Sequence, residues 1–358
     1  MADDKGSDMS TSGSGRGWSG RSGRGPSKAV RLSTVMAVGV LAATALGGCS
    51  SPAQKAVVPP PPKPKPTVVA VSPLTGLAPL PSGPVIAVKL DDTDAGRPSL
   101  GLENADVIYI EQAEGGLSRM VAVYAGAKPK VRAVRSVRAS DPELLGSYGK
   151  IILVASGGGG SSLPTLDRSG LHSSINDRGQ VGFNRDPSRP APYNLVSDLA
   201  KVSAAINGQG VRDVGFTWAA RDPQLATAKA APTVSTQVGS TKVSFVWDPG
   251  TARYVRIVDG HRLLAASGAP VAKPNVLVQY CQITPDSSDV DVRGNASMYT
   301  HTIGTGRVVL FRNGKRIAGT WSRPSNGART TLLDAAGKPL LFAPGGTFVA
   351  LVGPGAPA

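Results

Sequence analysis

The chain has 358 residues, 41% of them hydrophobic, which is enough for about two domains with real cores. Only 5% are aromatic, and 44 glycines and 30 prolines point to many turns and some unstructured sequence. Thirty-nine bases against 24 acids give a net charge of +15, which attracts polyanions, and a count of 2 cysteines rules out a disulfide framework.

Residues 1–29 are rich in Gly, Ser and Arg, bury too little to fold and are expected to be disordered. Lys28 and Arg31 then precede an uncharged, apolar or small run from Leu32 to Gly48, the layout of a secretory signal. The run is short of the roughly 20 residues a spanning helix needs. It ends in Leu46-Gly47-Gly48-Cys49, which resembles a bacterial lipobox. That resemblance implies diacylglycerol on the Cys49 sulfur and cleavage of residues 1–48. No twin-arginine pair precedes the run, which favours the general secretion route. The alternative is an uncleaved membrane anchor with an incidental cysteine. Either way residues 50–358 lie outside the cytoplasm, where the available polyanions are lipid head groups and wall polymers and nucleic acid is not expected.

Residues 49–71, with Pro59 to Pro62 contiguous and Pro64 and Pro66 alternating with lysines, read as an extended, semi-rigid tether. Residues 72–215 read as an α/β domain. Its expected strands are Val85–Leu90, Ala105–Ile110, Met120–Ala125 and Ile151–Ala155, the last apolar enough to be covered on both faces. Pro142, following Asp141, opens a helix. A second helix is expected from Asn194, as N-cap, to Ile206, because Leu195, Val196, Leu199, Val202 and Ile206 recur at three- and four-residue spacing. Residues 216–240 read as an inter-domain segment. Residues 241–358 read as a mostly β domain, a sandwich or small barrel, with strands at Thr241–Trp247, Arg253–Val258, Val276–Thr284, Arg307–Phe311, Lys315–Trp321 and Phe348–Val352. Asp259-Gly260 and Asn313-Gly314 are hairpin turn pairs.

Four stretches could carry chemistry. Glu111 to Arg119 puts Glu114 and Arg119 around a Gly-Gly turn, as an acid beside its charge partner or as a solvated surface pair. Lys128, Lys130, Arg132, Arg135 and Arg138 have no acid among them. The first three would share a strand face, and Arg135-Ser136-Val137-Arg138 could grip one anionic group. The alternatives are a solvated basic face, or arginines paired internally to Asp91, Asp92 or Glu114. Gly157 to Gly160 could form an anion cradle if a helix starts near Ser161, or a plain flexible loop. Phe183 to Leu195 is a proline-stiffened loop bearing Arg185, Asp186 and Arg189. His172, His261 and His301 are scattered, so neither a metal nor another cofactor is expected. Cys281, in an apolar run, reads as a small core residue.

Taken in order, Ser72-Pro-Leu-Thr-Gly-Leu77, Asp91, Arg97-Pro98, Ala105-Asp106, Glu114-Gly-Gly-Leu-Ser-Arg119, Val134-Arg-Ser-Val-Arg138 and Arg185-Asp186 with Arg189-Pro-Ala-Pro-Tyr-Asn-Leu195 resemble the YerB family of bacterial lipoproteins. Tyr280, Gly304-Thr-Gly306, Phe311-Arg-Asn-Gly314, Thr320-Trp-Ser322 and Pro344-Gly-Gly-Thr-Phe-Val349 extend the resemblance through the C-terminal part. It implies a two-domain lipoprotein of no established activity, with shared polar positions at Asp91, Arg97, Glu114, Arg119, Arg135, Ser136, Arg138, Arg185, Asp186 and Arg189. Where many members carry histidine, this chain has Ala155 and Tyr193, which argues against histidine acid–base chemistry. The expected function is non-catalytic binding of an anionic wall polymer, peptidoglycan fragment or acidic protein. The rivals are an envelope glycan hydrolase or transferase with Asp91 and Glu114 as paired carboxylates, and a scaffold whose arginines are all consumed internally.

Overall fold

In the computed structural model, residues 69–291 and 294–358 are described. The signal segment, Cys49 and the tether as far as residue 68 lie outside the described residues.

Eleven strands form one sheet. The N-terminal half supplies β1 (Ile86–Asp91), β2 (Val107–Gln112), β3 (Ser118–Tyr124), β5 (Ile152–Ala155) and β6 (His172–Ile175). Between them β4 (Lys130–Arg132) joins β7 (Phe183–Arg185) and β8 (Leu195–Asp198) in a separate three-stranded sheet. The C-terminal half supplies β9 (Lys229–Ala230), β13 (Asn275–Tyr280), β16 (Gly304–Arg312), β17 (Lys315–Arg323), β18 (Thr331–Asp334) and β19 (Thr347–Val352). Three further strands, β10 (Thr233–Val238), β11 (Thr241–Asp248) and β12 (Arg253–Val258), form the main part of a smaller five-stranded antiparallel sheet, and β14 (Ile283–Val290) with β15 (Ala296–Thr300) makes a hairpin.

The large sheet runs β9-β17-β16-β13-β19-β2-β3-β1-β5-β6, with β18 beside β17. Its two halves meet where β19 pairs in parallel with β2 on one side and β13 on the other. Residues 216–240 carry the strands β9 and β10. Strands covered on both faces read as unbroken apolar runs, and β5, β13 and β19 are buried at every position. One face packs on the smaller sheet, where Phe245 and Tyr254 meet Phe348, Val278 and Phe311. The other packs on α1 (Asp141–Leu145) and α2 (Ser162–Arg168) through Leu144, Leu145 and Leu166. The chain is thus a mixed α+β fold with a β-rich C-terminal part, 13% helical and 42% strand over the described residues. The Asn313-Gly314 turn closes β16 onto β17 with φ of 53° and 69°, the left-handed conformations that pair of residues permits.

Two expected elements differ. Leu195 and Val196 belong to β8, where both are buried, and the helix α3 spans only Leu199–Ala205. Its cap is Asp198, whose Oδ1 accepts from the Lys201 amide at 3.2 Å, while Asn194 accepts from Arg185. The run Val276–Thr284 breaks at Cys281-Gln282, so its two parts serve different sheets.

Phe348 sits on the strand that joins the halves, fully buried, its ring 4.8 Å from that of Phe245. Phe348→Ala is expected to cost about 3–5 kcal/mol, read from urea unfolding, with both halves lost in one transition.

Candidate functional site

The site begins with charge inside the sheet. Strand β1 is buried on both faces, yet Lys89 and Asp91 point to the helix-bearing side with Ala87. Across from Asp91 stands Arg119 on β3, and across from Arg119 stands Glu111 on β2. Lys89 donates to Glu111 and, at 2.8 Å, to Asp141 Oδ1 at the start of α1. Burial, the largest influence on Glu111, pushes its pKa well above the carboxylate range; Lys89 opposes this and Asp141 reinforces it. Asp91 is enclosed: Oδ1 accepts from the Thr93 amide and hydroxyl, and Oδ2 lies 3.6 Å from Arg119 Nη1 and 3.2 Å from Arg135 Nε. Its neighbour Asp92 holds Arg256 at 2.6 Å and accepts from Ser118 Oγ at 2.6 Å.

The Gly-Gly turn after β2 decides where Glu114 goes. Gly115 and Gly116 have φ of 60° and 76°, and a Cβ on Gly116 would lie 2.3 Å from Ser240 Oγ. This tight turn carries Glu114 away from Arg119 and onto Arg138, with Ser297 Oγ donating to Oε1 at 2.8 Å. Arg119 therefore pairs with Asp91, and the expected Glu114–Arg119 couple is replaced by two others. Burial works to raise the Glu114 pKa, but the hydrogen bond and charge of Arg138, a backbone amide and Ser297 outweigh it and hold it at about 2.

Glu114, Arg119, Arg135, Ser136 and Arg138 line one cleft of about 840 Å³. Tyr193 joins them, its ring centroid 5.4 Å from the Arg135 guanidinium carbon. The far wall comes from the β14–β15 hairpin through Asp289, Val290, Asp291 and Asn295. Arg138 Nη1 donates to the carbonyls of Ser136 and Val137 at 3.1 and 3.0 Å. Among the described residues the terminal nitrogens of Arg135 have no hydrogen-bond partner.

The other expected site residues lie elsewhere. Arg97 lines a second cleft of about 470 Å³, beside Asp92, Lys242 and Arg256, and shares Thr93 and Leu117 with the first. Arg189 donates to the Arg97 carbonyl at 3.0 Å, Asp186 pairs with Arg132, and Arg185 is exposed beside Asn194. Lys128, Lys130 and Arg132 form no common basic face. Lys128 is drawn onto the carbonyls of Tyr124, Ala125 and Gly126, and Arg132 is buried on Asp186. Nor do the glycines after β5 make an open anion cradle. Cβ atoms at Gly157 and Gly159 would meet carboxylates of Asp177 and Asp289 at 2.0 and 2.4 Å, so the chain's own acids occupy that space. Asp289 in turn accepts from Ser162 Oγ at 2.8 Å. Cys281 is buried, and burial pushes its thiol up to about 12.

Residues 74–212 match the family model described as "Protein of unknown function (DUF3048) N-terminal domain", and residues 233–349 match its C-terminal counterpart. The chain belongs to the DUF3048 family. It is 26% identical over 278 residues to "Putative lipoprotein YerB" of Bacillus subtilis (strain 168), covering 75% of this chain and 80% of that protein. A crystal structure of the YerB protein from Bacillus subtilis has the same fold, with a TM-score of 0.67 at 23% identity over 80% of this chain and 97% of that one. Both DUF3048 parts build the cleft: its arginines come from residues 74–212 and its acidic wall from residues 233–349. Sequence reasoning missed that wall. The cue was Asp286-Ser-Ser-Asp289-Val-Asp291, an acidic stretch in a basic chain.

Because folding lowers the Glu114 pKa from 4.5 to about 2, the stability it contributes is complete above pH 4.5 and is lost as pH falls toward 2. The gap in unfolding free energy between the parent and Glu114→Gln is therefore expected to be largest at neutral pH and to close across that window, read from denaturation at a series of pH values.

Proposed function

We propose that this chain is an extracytoplasmic lipoprotein, held on the membrane by lipid on Cys49, whose cleft binds a carboxylate-bearing ligand of the envelope. Leu46-Gly47-Gly48-Cys49 and the lipoprotein name of the Bacillus relative support the anchor. The observation that carries the binding reading is Arg135. It is ion-paired through Nε to Asp91 and braced on Tyr193, and its side chain, 22% exposed, lines an open cleft. A guanidinium fixed in this way gives up little rotamer entropy when it takes a carboxylate in a two-bonded fork.

The charge count selects among ligands. Among the described residues three arginines line the cleft, and so do Glu114, Asp289 and Asp291. Long-range attraction nearly cancels, which disfavours a uniform polyanion such as a phosphate-rich wall polymer. The fit is better to one carboxylate set among neutral polar groups, as in a peptidoglycan fragment. The paired-carboxylate hydrolase reading has against it that Asp91 has no exposed side-chain surface and is spoken for by two arginines. Glu114, with its low pKa, is a poor general acid.

Titration with soluble peptidoglycan fragments is the test. Arg135→Ala is expected to weaken binding about 10- to 100-fold, with only shallow dependence on salt. Equal affinity of the variant and the parent excludes the site. Cys49→Ser is expected to move the protein from the membrane fraction to the soluble one.

A further inference from the structure

The buried trio of Lys89, Glu111 and Asp141 lies outside the binding reading. An amine and two carboxyls are in contact with side-chain exposures of 0%, 2% and 0%. Apolar neighbours on the same face include Val121, Leu144 and Val137. The two carboxyls also bear on each other by charge. They are not equivalent. Asp141 Oδ2 accepts the Arg138 backbone N–H at 2.7 Å, and Oδ1 faces the amine at 2.8 Å. Glu111 Oε2 is buried with no hydrogen-bond partner among the described residues.

That asymmetry assigns roles. A nucleophile, an acyl carbon whose oxygen is held by a fixed N–H donor, and a second acid able to carry protons are collected where water does not reach. We propose that Lys89 and Asp141 are joined by an amide bond between Nζ and Cγ, formed by the chain itself with Glu111 as the proton carrier. The Lys89 ammonium passes one proton to Asp141 Oδ1, leaving an amine and an acid. The nitrogen lone pair bonds to Cγ, and the charge that gathers on Oδ2 is met by the Arg138 N–H. Glu111 protonates Oδ1, the Cγ–Oδ1 bond breaks, and Oδ1 departs as water. The nitrogen returns a proton to Glu111 as the Oδ2 carbonyl re-forms. The sum is one ammonium and one carboxylate converted to one amide and one water, with Glu111 unchanged and no outside reagent. Burial keeps Glu111 protonated for that task. Fixed contact between amine and acid corresponds to effective concentrations of about 10⁵–10⁸ M.

Tryptic digestion of the full chain followed by mass spectrometry tests this without any substitution. Expected is a branched product joining the Lys89 and Asp141 peptides, lighter than their sum by one water, with no cleavage after Lys89. Cleavage after Lys89 and an unmodified Asp141 peptide overturn the proposal, and a link from Lys89 to Glu111 overturns the choice of acyl carbon. In Glu111→Gln, whose amide cannot relay the proton, bond formation is expected to slow about 100-fold or more. Unchanged formation in that variant removes Glu111 from the reaction.

Discussion

Arg119 stands between two acids on the helix-facing side of the large sheet, with Asp91 across from it on β1 and Glu111 across from it on β2. An ion placed there loses its water and must be answered by other ions, so the row recruits more charge. Asp91 takes Arg135 as well, and beside it Lys89 reaches both Asp141 and Glu111, whose charge burial suppresses. Each recruit fixes a piece of chain. Arg135 anchors the segment after β4 along the cleft, and Asp141 seats the first turn of α1 over the sheet while accepting the amide of Arg138. The cleft's arginines are therefore positioned by an electrostatic floor below them, and their orientation does not depend on a ligand.

This floor separates two jobs that look alike in a list of charged residues. Asp91, Asp92, Arg119 and Arg256 hold the structure together from inside. Arg135 does this with one nitrogen and keeps the others for the cleft. Tyr193 stands beside Arg135 in the cleft. Its ring offers a flat surface beneath a guanidinium, a role that needs no titratable proton.

Local chemistry made much of this legible in the sequence. The Ile151–Ala155 run, the left-handed turn at Asn313-Gly314 and Pro142 in the first turn of a helix each depend on a few adjacent residues, and each element forms near its expected place. Leu195 and Val196 were misleading because a three- and four-residue spacing also fits a short strand followed by a short helix. Pairing with β4 and β7 settles the choice, and those partners are distant in sequence. The site divides in the same way. Arg135, Ser136 and Arg138 are neighbours, so their convergence could be read directly. The exchange of partners between Glu114 and Arg119 depends on a glycine turn pressed against Ser240, and the acidic wall depends on a hairpin that begins near residue 283.

The order of strands also bears on synthesis. Residues 347–352 form the strand inserted between β2 and β13, so the middle of the sheet is filled by the strand made after all the others in it. Until they emerge, β2 keeps an unpaired edge, and the halves on either side have no shared hydrogen bonds across that seam. The two halves of the sheet are therefore joined only when this strand is in place.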